Sequence, residues 1–224
     1  MPSRARLTLP SIRSLVDSAR PAVWPAVSVG FVPIALVAAA SVVLGIEVQL
    51  MTRDVAAIGE VHPLAGVLSS LGVLLWWTSA TIWLFSANVF RTQGRPDDAR
   101  FALGGGALSA YLALDDLFQF HEALAPTYLG IPEAVVYAAL LVAFVAYFVA
   151  FWGRILEHGA LFVLLSVGML AASASVDVVL DKYLGRLGHW NYLFEDGLKW
   201  LGICCWLVFA AMRCREGLLA RRAV

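Results

Sequence analysis

The stretch EAVVYAALLVAFVAYFVAFW, residues 133–152, carries a single charged side chain, Glu133, at its very start. Crossing the hydrocarbon core of a bilayer takes about 20 apolar residues in a helix. A barrel strand would instead alternate apolar and polar positions over about ten residues. Working outward, five more segments meet or approach the same length: 23–48, 64–90, 101–124, 159–180 and 195–212. The whole chain agrees. Of its 224 residues 61% are hydrophobic and only 14% charged, with a mean hydropathy of +0.80. Soluble domains run at about 45–50% apolar and about 25% charged. One soluble core of this size cannot hide the excess. The expected fold class is an all-α integral membrane protein, a six-transmembrane-helix bundle in the cell membrane (the inner membrane if the source is bacterial).

The basic residues set the expected orientation. Arg4, Arg6, Arg13 and Arg20 precede the first segment. Arg91, Arg95 and Arg100 lie between the second and third, Arg154 between the fourth and fifth, and Arg213, Arg215, Arg221 and Arg222 after the sixth. Only Arg53, Lys182, Arg186 and Lys199 fall on the other side. Both termini are therefore expected to be cytoplasmic. Residues 1–22 read as a basic amphipathic arm, 23–212 as the transmembrane domain, and 213–224 as a basic tail. The first apolar run, about 25 residues, exceeds the 7–15 of a signal peptide and is read as a retained helix. Cys204, Cys205 and Cys214 suggest no disulfide framework, and Cys204 and Cys205 are read as packing residues. No nucleic-acid partner is expected. The bilayer is the expected partner, with a lipid or cation as candidate ligand, and the chain is open to oligomer formation.

The carboxylates gather on the side opposite the arginines. Glu47, Asp54, Glu60, Asp115, Asp116, Glu122, Glu133, Asp177, Asp181, Glu195 and Asp196 all fall in the outer half. The positive-inside rule does not require this, because acids contribute little to orientation. The densest cluster is LALDDLFQFHE, residues 112–122. At 100° per residue, a regular helix places Asp115, Gln119 and Glu122 on one stripe, Asp116 beside it, and His121 facing elsewhere. Ser166, Ser173, Asp177 and Asp181 form a second stripe on the fifth segment. The sixth starts at NYLFEDGLKW, with Glu195 and Asp196 at its N-terminus and Glu195–Lys199 an i,i+4 pair. Asn191 is a candidate cap there. Gly104, Gly105 and Gly106 read as close helix packing rather than a phosphate loop. Trp76, Trp77 and Trp83 read as lipid-facing or packing residues, and Thr81 and Asn88 as interhelical hydrogen-bonders.

A charge in a spanning helix costs at least about 2.5–3.5 kcal/mol. Asp115, Asp116 and Asp177 therefore call for a cation, a shared proton or a cavity. The leading reading is an outward-facing acidic intramembrane site. In that reading Asp115, Asp116, His121, Glu195 and Lys199 are candidate catalytic residues. Asp115, Asp116, Glu122, Asp177 and Asp181 are candidate ligands of a divalent metal: Mg, Ca or Mn for an all-oxygen set, Zn where His121 joins. Such a site suits a metal-dependent hydrolase or transferase acting on a lipid-like substrate. One alternative is a cation or proton transporter or channel, whose route would pass Ser166, Ser109, Thr81 or Asn88. Another is a non-enzymatic membrane subunit with a structural polar network. The Asp177–Asp181 spacing resembles one element of the polyprenyl-transferase pattern, without the Asn-Asp element that precedes it there. The paired terminal histidines of the multi-pass ceramidase-type hydrolases, GxSxG and desaturase-type histidine boxes are all absent.

Overall fold

The computed structural model describes residues 12–157, 159–176 and 190–220. Every regular element among them is helical. The chain divides into two compact units, Met1–Ala65 and Gly66–Val224.

The first unit consists of α1 (Ile12–Leu44) and two short helices, α2 (Val48–Thr52) and α3 (Val55–Gly59). The apolar run Val27–Leu44 has a mean hydropathy of 2.4 and leaves its large side chains exposed, as a lipid-facing helix does. Gly45, at φ +68°, breaks α1, and Ser41 Oγ donates to the Ile46 carbonyl at 2.8 Å just beyond the break.

The second unit is built from α4 (Val67–Thr92), α5 (Pro96–Phe118), a π-helical segment (Phe120–Leu129), α6 (Glu133–Glu157), α7 (Ala160–Ser175) and α8 (Trp190–Leu219). Helix α4 buries Gly72, Val73, Trp76, Ser79, Ala80, Trp83, Ser86, Ala87 and Phe90. Steps of three and four keep these on one face. Gly94, at φ +72°, lets the chain reverse, and Pro96 opens α5 with Asp97 and Asp98 in the first turn, at the positive end of the helix dipole. Trp206 of α8 sits at the centre. Its ring lies 6.5 Å from Trp76 and 5.8 Å from Phe209, and its Nε1 donates to Ser109 Oγ at 2.8 Å.

Glycine permits this close packing. A Cβ on Gly106 would lie 2.7 Å from Leu84, and one on Gly202 2.8 Å from Leu170. The triple glycine of α5 is thus a packing surface inside a helix, as its sequence suggested. Helix α6 meets α5 where the Tyr147 ring stacks on Phe101 at 5.7 Å. Phe144 of α6 also meets Trp206 of α8 at 6.2 Å, while Leu141, Val142, Val145, Val149 and Trp152 remain exposed.

Four helical stretches among the described residues are long and apolar enough to cross a membrane: Val27–Leu44, Val67–Thr92, Glu133–Glu157 and Tyr192–Leu219. Helix α8 is already regular at Trp190, so Asn191 lies inside it and Glu195 more than a turn in, rather than both marking its start. The dipole effect fades within the first turn, so it no longer accounts for the acids at Glu195 and Asp196.

Candidate functional site

The third segment does not continue as one regular helix through Glu122. Helix α5 stops at Phe118, and Gln119 adopts the left-handed conformation, φ 48° and ψ 48°. The wider π turns follow, with the Leu124 amide donating to the Gln119 carbonyl at 3.1 Å. The angular step of 100° therefore fails from Gln119 onward. Gln119 is exposed while Asp115 is buried, so the expected Asp115–Gln119–Glu122 stripe does not form. The reversal instead carries His121 back onto Asp115, which corrects the reading that His121 faces elsewhere. Pro126, inside the π segment, has no amide to donate and suits an irregular ladder. π turns of this kind often mark functional sites.

Asp115 and His121 form a tight pair. Asp115 Oδ2 lies 2.6 Å from His121 Nδ1, and Asp115 Oδ1 accepts the His121 backbone amide at 3.1 Å. Both are buried, at 4% and 9% exposure. Two bonds to one carboxylate fix the imidazole in place. With Nδ1–H donated to Asp115, Nε2 is left to accept the Tyr137 hydroxyl, 2.9 Å away. The Tyr137 ring packs 4.6 Å from the imidazole. Glu122 Oε1 lies 3.3 Å from the same Nε2. The result is a relay, Asp115–His121–Tyr137, in which two members come from the α5–π junction and the third from the first turns of α6.

Asp116 has its own partners. Lys199 Nζ of α8 donates to Oδ1 at 2.7 Å, and Trp76 Nε1 of α4 donates to Oδ2 at 3.1 Å. Lys199 thus reaches across to α5. Asp196 joins Asp116 and Lys199 around a small crevice between α4 and α8. Asp116 is thus paired with a cation of the chain, while Asp115 is held by hydrogen bonds from His121.

Both sets line one large groove of about 990 Å³. Asp115, Asp116, His121, Glu122, Tyr137, Glu195 and Lys199 surround its polar head. The remainder is apolar, walled by α6 and α7 from Leu140 to Leu156 on one side and from Ala160 to Ala174 on the other. All five candidate catalytic residues therefore meet at the head of one cavity. Of the candidate metal ligands, Asp115, Asp116 and Glu122 are there, while Asp177 and Asp181 lie outside the described residues. Among the described residues, no three ligating groups converge on a point able to hold an ion.

Two members of the site escaped sequence reading. Tyr137 and Trp76 look like the amphipathic aromatics that crowd any membrane interface. Trp76 is buried and hydrogen-bonded to Asp116. The hydroxyls proposed for a conduction route are largely committed locally. Ser109 Oγ donates to the Gly105 carbonyl at 2.7 Å and Thr81 Oγ1 to that of Trp77 at 2.8 Å. Ser166 Oγ is buried and has no hydrogen-bond partner among the described residues.

With this geometry in view, the chain belongs to the family described as a domain of unknown function (DUF8692), whose model matches residues 29–212. No curated protein and no solved structure matches it.

Proposed function

We propose that this member of a family without an assigned activity is a membrane enzyme that performs acid–base chemistry on the polar head of a lipid-like substrate. The observation that carries the reading is the relay from the buried Asp115–His121 pair to the exposed Tyr137 at the polar end of an otherwise apolar groove. An apolar groove with a few convergent polar groups is the usual form of a small-molecule site. In this reading the tail lies between α6 and α7, and the bond to be broken or made sits beside His121 and Tyr137. Asp115 holds the imidazole and stabilises its protonated form. His121 takes a proton from a water that displaces the Tyr137 hydroxyl as that water's oxygen attacks the substrate, and returns it to the leaving group as the bond breaks. Lys199, held by Asp116, stabilises negative charge that develops on the substrate. The reaction class is hydrolysis or group transfer.

The same proposal sets α5 and α7 across the bilayer beside the four longer apolar helices, making six spans with both termini cytoplasmic and the groove head on the outer side. The arginine distribution supports that orientation. In its metal-dependent form, Asp115, Asp116, Glu122, Asp177 and Asp181 would hold a divalent ion, which would supply Lewis-acid activation of a water.

The test is to incubate purified protein in nanodiscs with extracted membrane lipids and compare products by mass spectrometry. Wild type is expected to deplete a lipid class that His121→Ala leaves untouched. Identical lipid profiles for the two would overturn the reading. Metal analysis of the same preparation separates its two forms. A stoichiometric divalent ion lost in Asp116→Asn supports the metal form, and full turnover in chelator supports the relay alone.

A further inference from the structure

The groove's two parts select ligands very differently. Along α6, the lining residues between Tyr137 and Leu156 cover about 28 Å at 1.5 Å per residue. That is close to the roughly 30 Å thickness of a hydrocarbon core. A lipid tail entering from the bilayer leaves one apolar medium for another and gains little, because lipid tails are as apolar as the leucines that replace them. Discrimination among lipids must therefore be made at the head.

The head is acidic. Among its described residues, four carboxylates (Asp115, Asp116, Glu122 and Glu195) face one lysine and one histidine. That lysine is committed to Asp116 at 2.7 Å, and the histidine to Asp115 at 2.6 Å. An anionic headgroup would meet more carboxylates than cations here. A positively charged one would meet its complement, together with the aromatic rings of Trp76 and Tyr137, which favour ammonium groups.

We infer that the groove takes a long-chain lipid whose headgroup carries a protonated amine, held by the carboxylates at the groove head. This rests on the reading of the groove as the substrate site, and it adds the chemical class of the substrate. Glu122 is the residue that tests it best. Its side chain is 55% exposed, so replacing it leaves the packed core untouched.

The experiment measures saturable binding of radiolabelled octadecylamine, octadecanol and octadecanoate to the full-length protein in neutral detergent micelles. Octadecylamine is expected to bind most tightly and octadecanoate least. Glu122→Gln should weaken octadecylamine about fivefold, the scale of one partly screened charge contact, and leave octadecanol unchanged. Glu122→Lys should narrow or reverse the preference between amine and carboxylate. Leu141→Trp, which fills the groove wall, should weaken all three. Equal binding of the three probes, or an amine affinity indifferent to both Glu122 substitutions, would overturn the inference. His121→Ala keeps the two proposals apart. It is expected to retain amine binding while losing turnover. Amine-selective binding by a protein that turns over no lipid would leave this inference standing and overturn the acid–base reading.

Discussion

At the first turn of α5, Asp98 gives one carboxylate oxygen to Arg95 and the other to Arg154. At its last turn, Asp115 and Asp116 give theirs to His121, Lys199 and Trp76. The two ends lie about 26 Å apart at 1.5 Å per residue. They use similar residue types to different purpose. Around Asp98 the cations outnumber the acid, and Arg95 also donates to the Gly217 carbonyl of α8 at 2.6 Å. One aspartate there ties α5, α6 and α8 together, and none of Arg95, Asp98 and Arg154 lines the groove. At the other end the acids outnumber the cations, and every member faces the groove. Charge satisfied by neighbouring helices holds a bundle together, whereas charge gathered around a cavity is available to a ligand.

The largest expected effect would break this comparison outright if it failed. Asp115→Asn should lower lipid turnover by about 10²–10⁴-fold, the range for losing a positioned acid–base partner. Asp98→Asn should leave turnover within about twofold, since surface-side changes seldom reach a distant site. Product formation at matched protein concentration checks both. Equal losses would mean that the two ends serve one purpose.

The second effect is on stability. Asp116→Ala leaves the Lys199 ammonium and the Trp76 indole N–H without their partner. Breaking one side of a buried ion pair costs about 3–5 kcal/mol, and the partial exposure of Lys199 puts this case near 3. Asp116→Leu combined with Lys199→Met removes both charges and should recover most of that loss. Thermal unfolding in detergent reads the difference. A double variant no more stable than the single one would show that the pair does more than neutralise itself.

How far these ends were legible in the sequence follows from how local each signal is. Apolar runs are local, so the helical class and the spans at 64–90 and 133–152 could be read directly. Of the acids expected together on one side, Asp115, Asp116, Glu122 and Glu195 do meet at the groove head, and this grouping was legible because it needs only the order of segments. The end of α5 was not. Gln119 carries none of the usual turn signatures, yet its left-handed conformation redirects His121 onto Asp115. Lys199 sits four residues from Glu195, so local reasoning offered that pair, while the side chain bonds Asp116, 83 residues away in sequence. Tyr137 and Trp76 gave ambiguous signals, since an interfacial aromatic and a site hydroxyl or indole look alike until a partner is seen across the bundle.

Midway along α5, Gly106 offers a control that belongs to neither end. A Cβ there would lie 2.7 Å from the Leu84 side chain and 3.3 Å from its backbone nitrogen. Gly106→Val should cost about 1–3 kcal/mol by overpacking, because the backbone cannot withdraw as a flexible side chain can. Turnover per folded molecule should be unchanged. A selective loss of turnover would mean that the spacing of α4 and α5 is transmitted to the groove head.

The smallest expected effect sharpens the comparison most. Arg154→Ala removes one of the two arginines on Asp98 and leaves Arg95 in place. The pair is partly exposed, with side chains at 30% and 24%, so solvent already screens it. A loss of about 0.5–1 kcal/mol is expected, the upper range for exposed pairs. Arg154 lies near the end of α6, the helix that forms one wall of the groove. Releasing it therefore loosens that wall without touching the groove head. If α6 is held mainly by its aromatic contacts with Phe101, octadecylamine binding and turnover should both stay at wild-type levels. If the arginine tie sets the width of the groove, binding of all three long-chain probes should weaken together while their order of preference is kept. The preference order belongs to the carboxylates at the groove head, and the common affinity to the spacing of α6 and α7. Measuring both on Arg154→Ala thus assigns each end of the molecule its own share of lipid recognition.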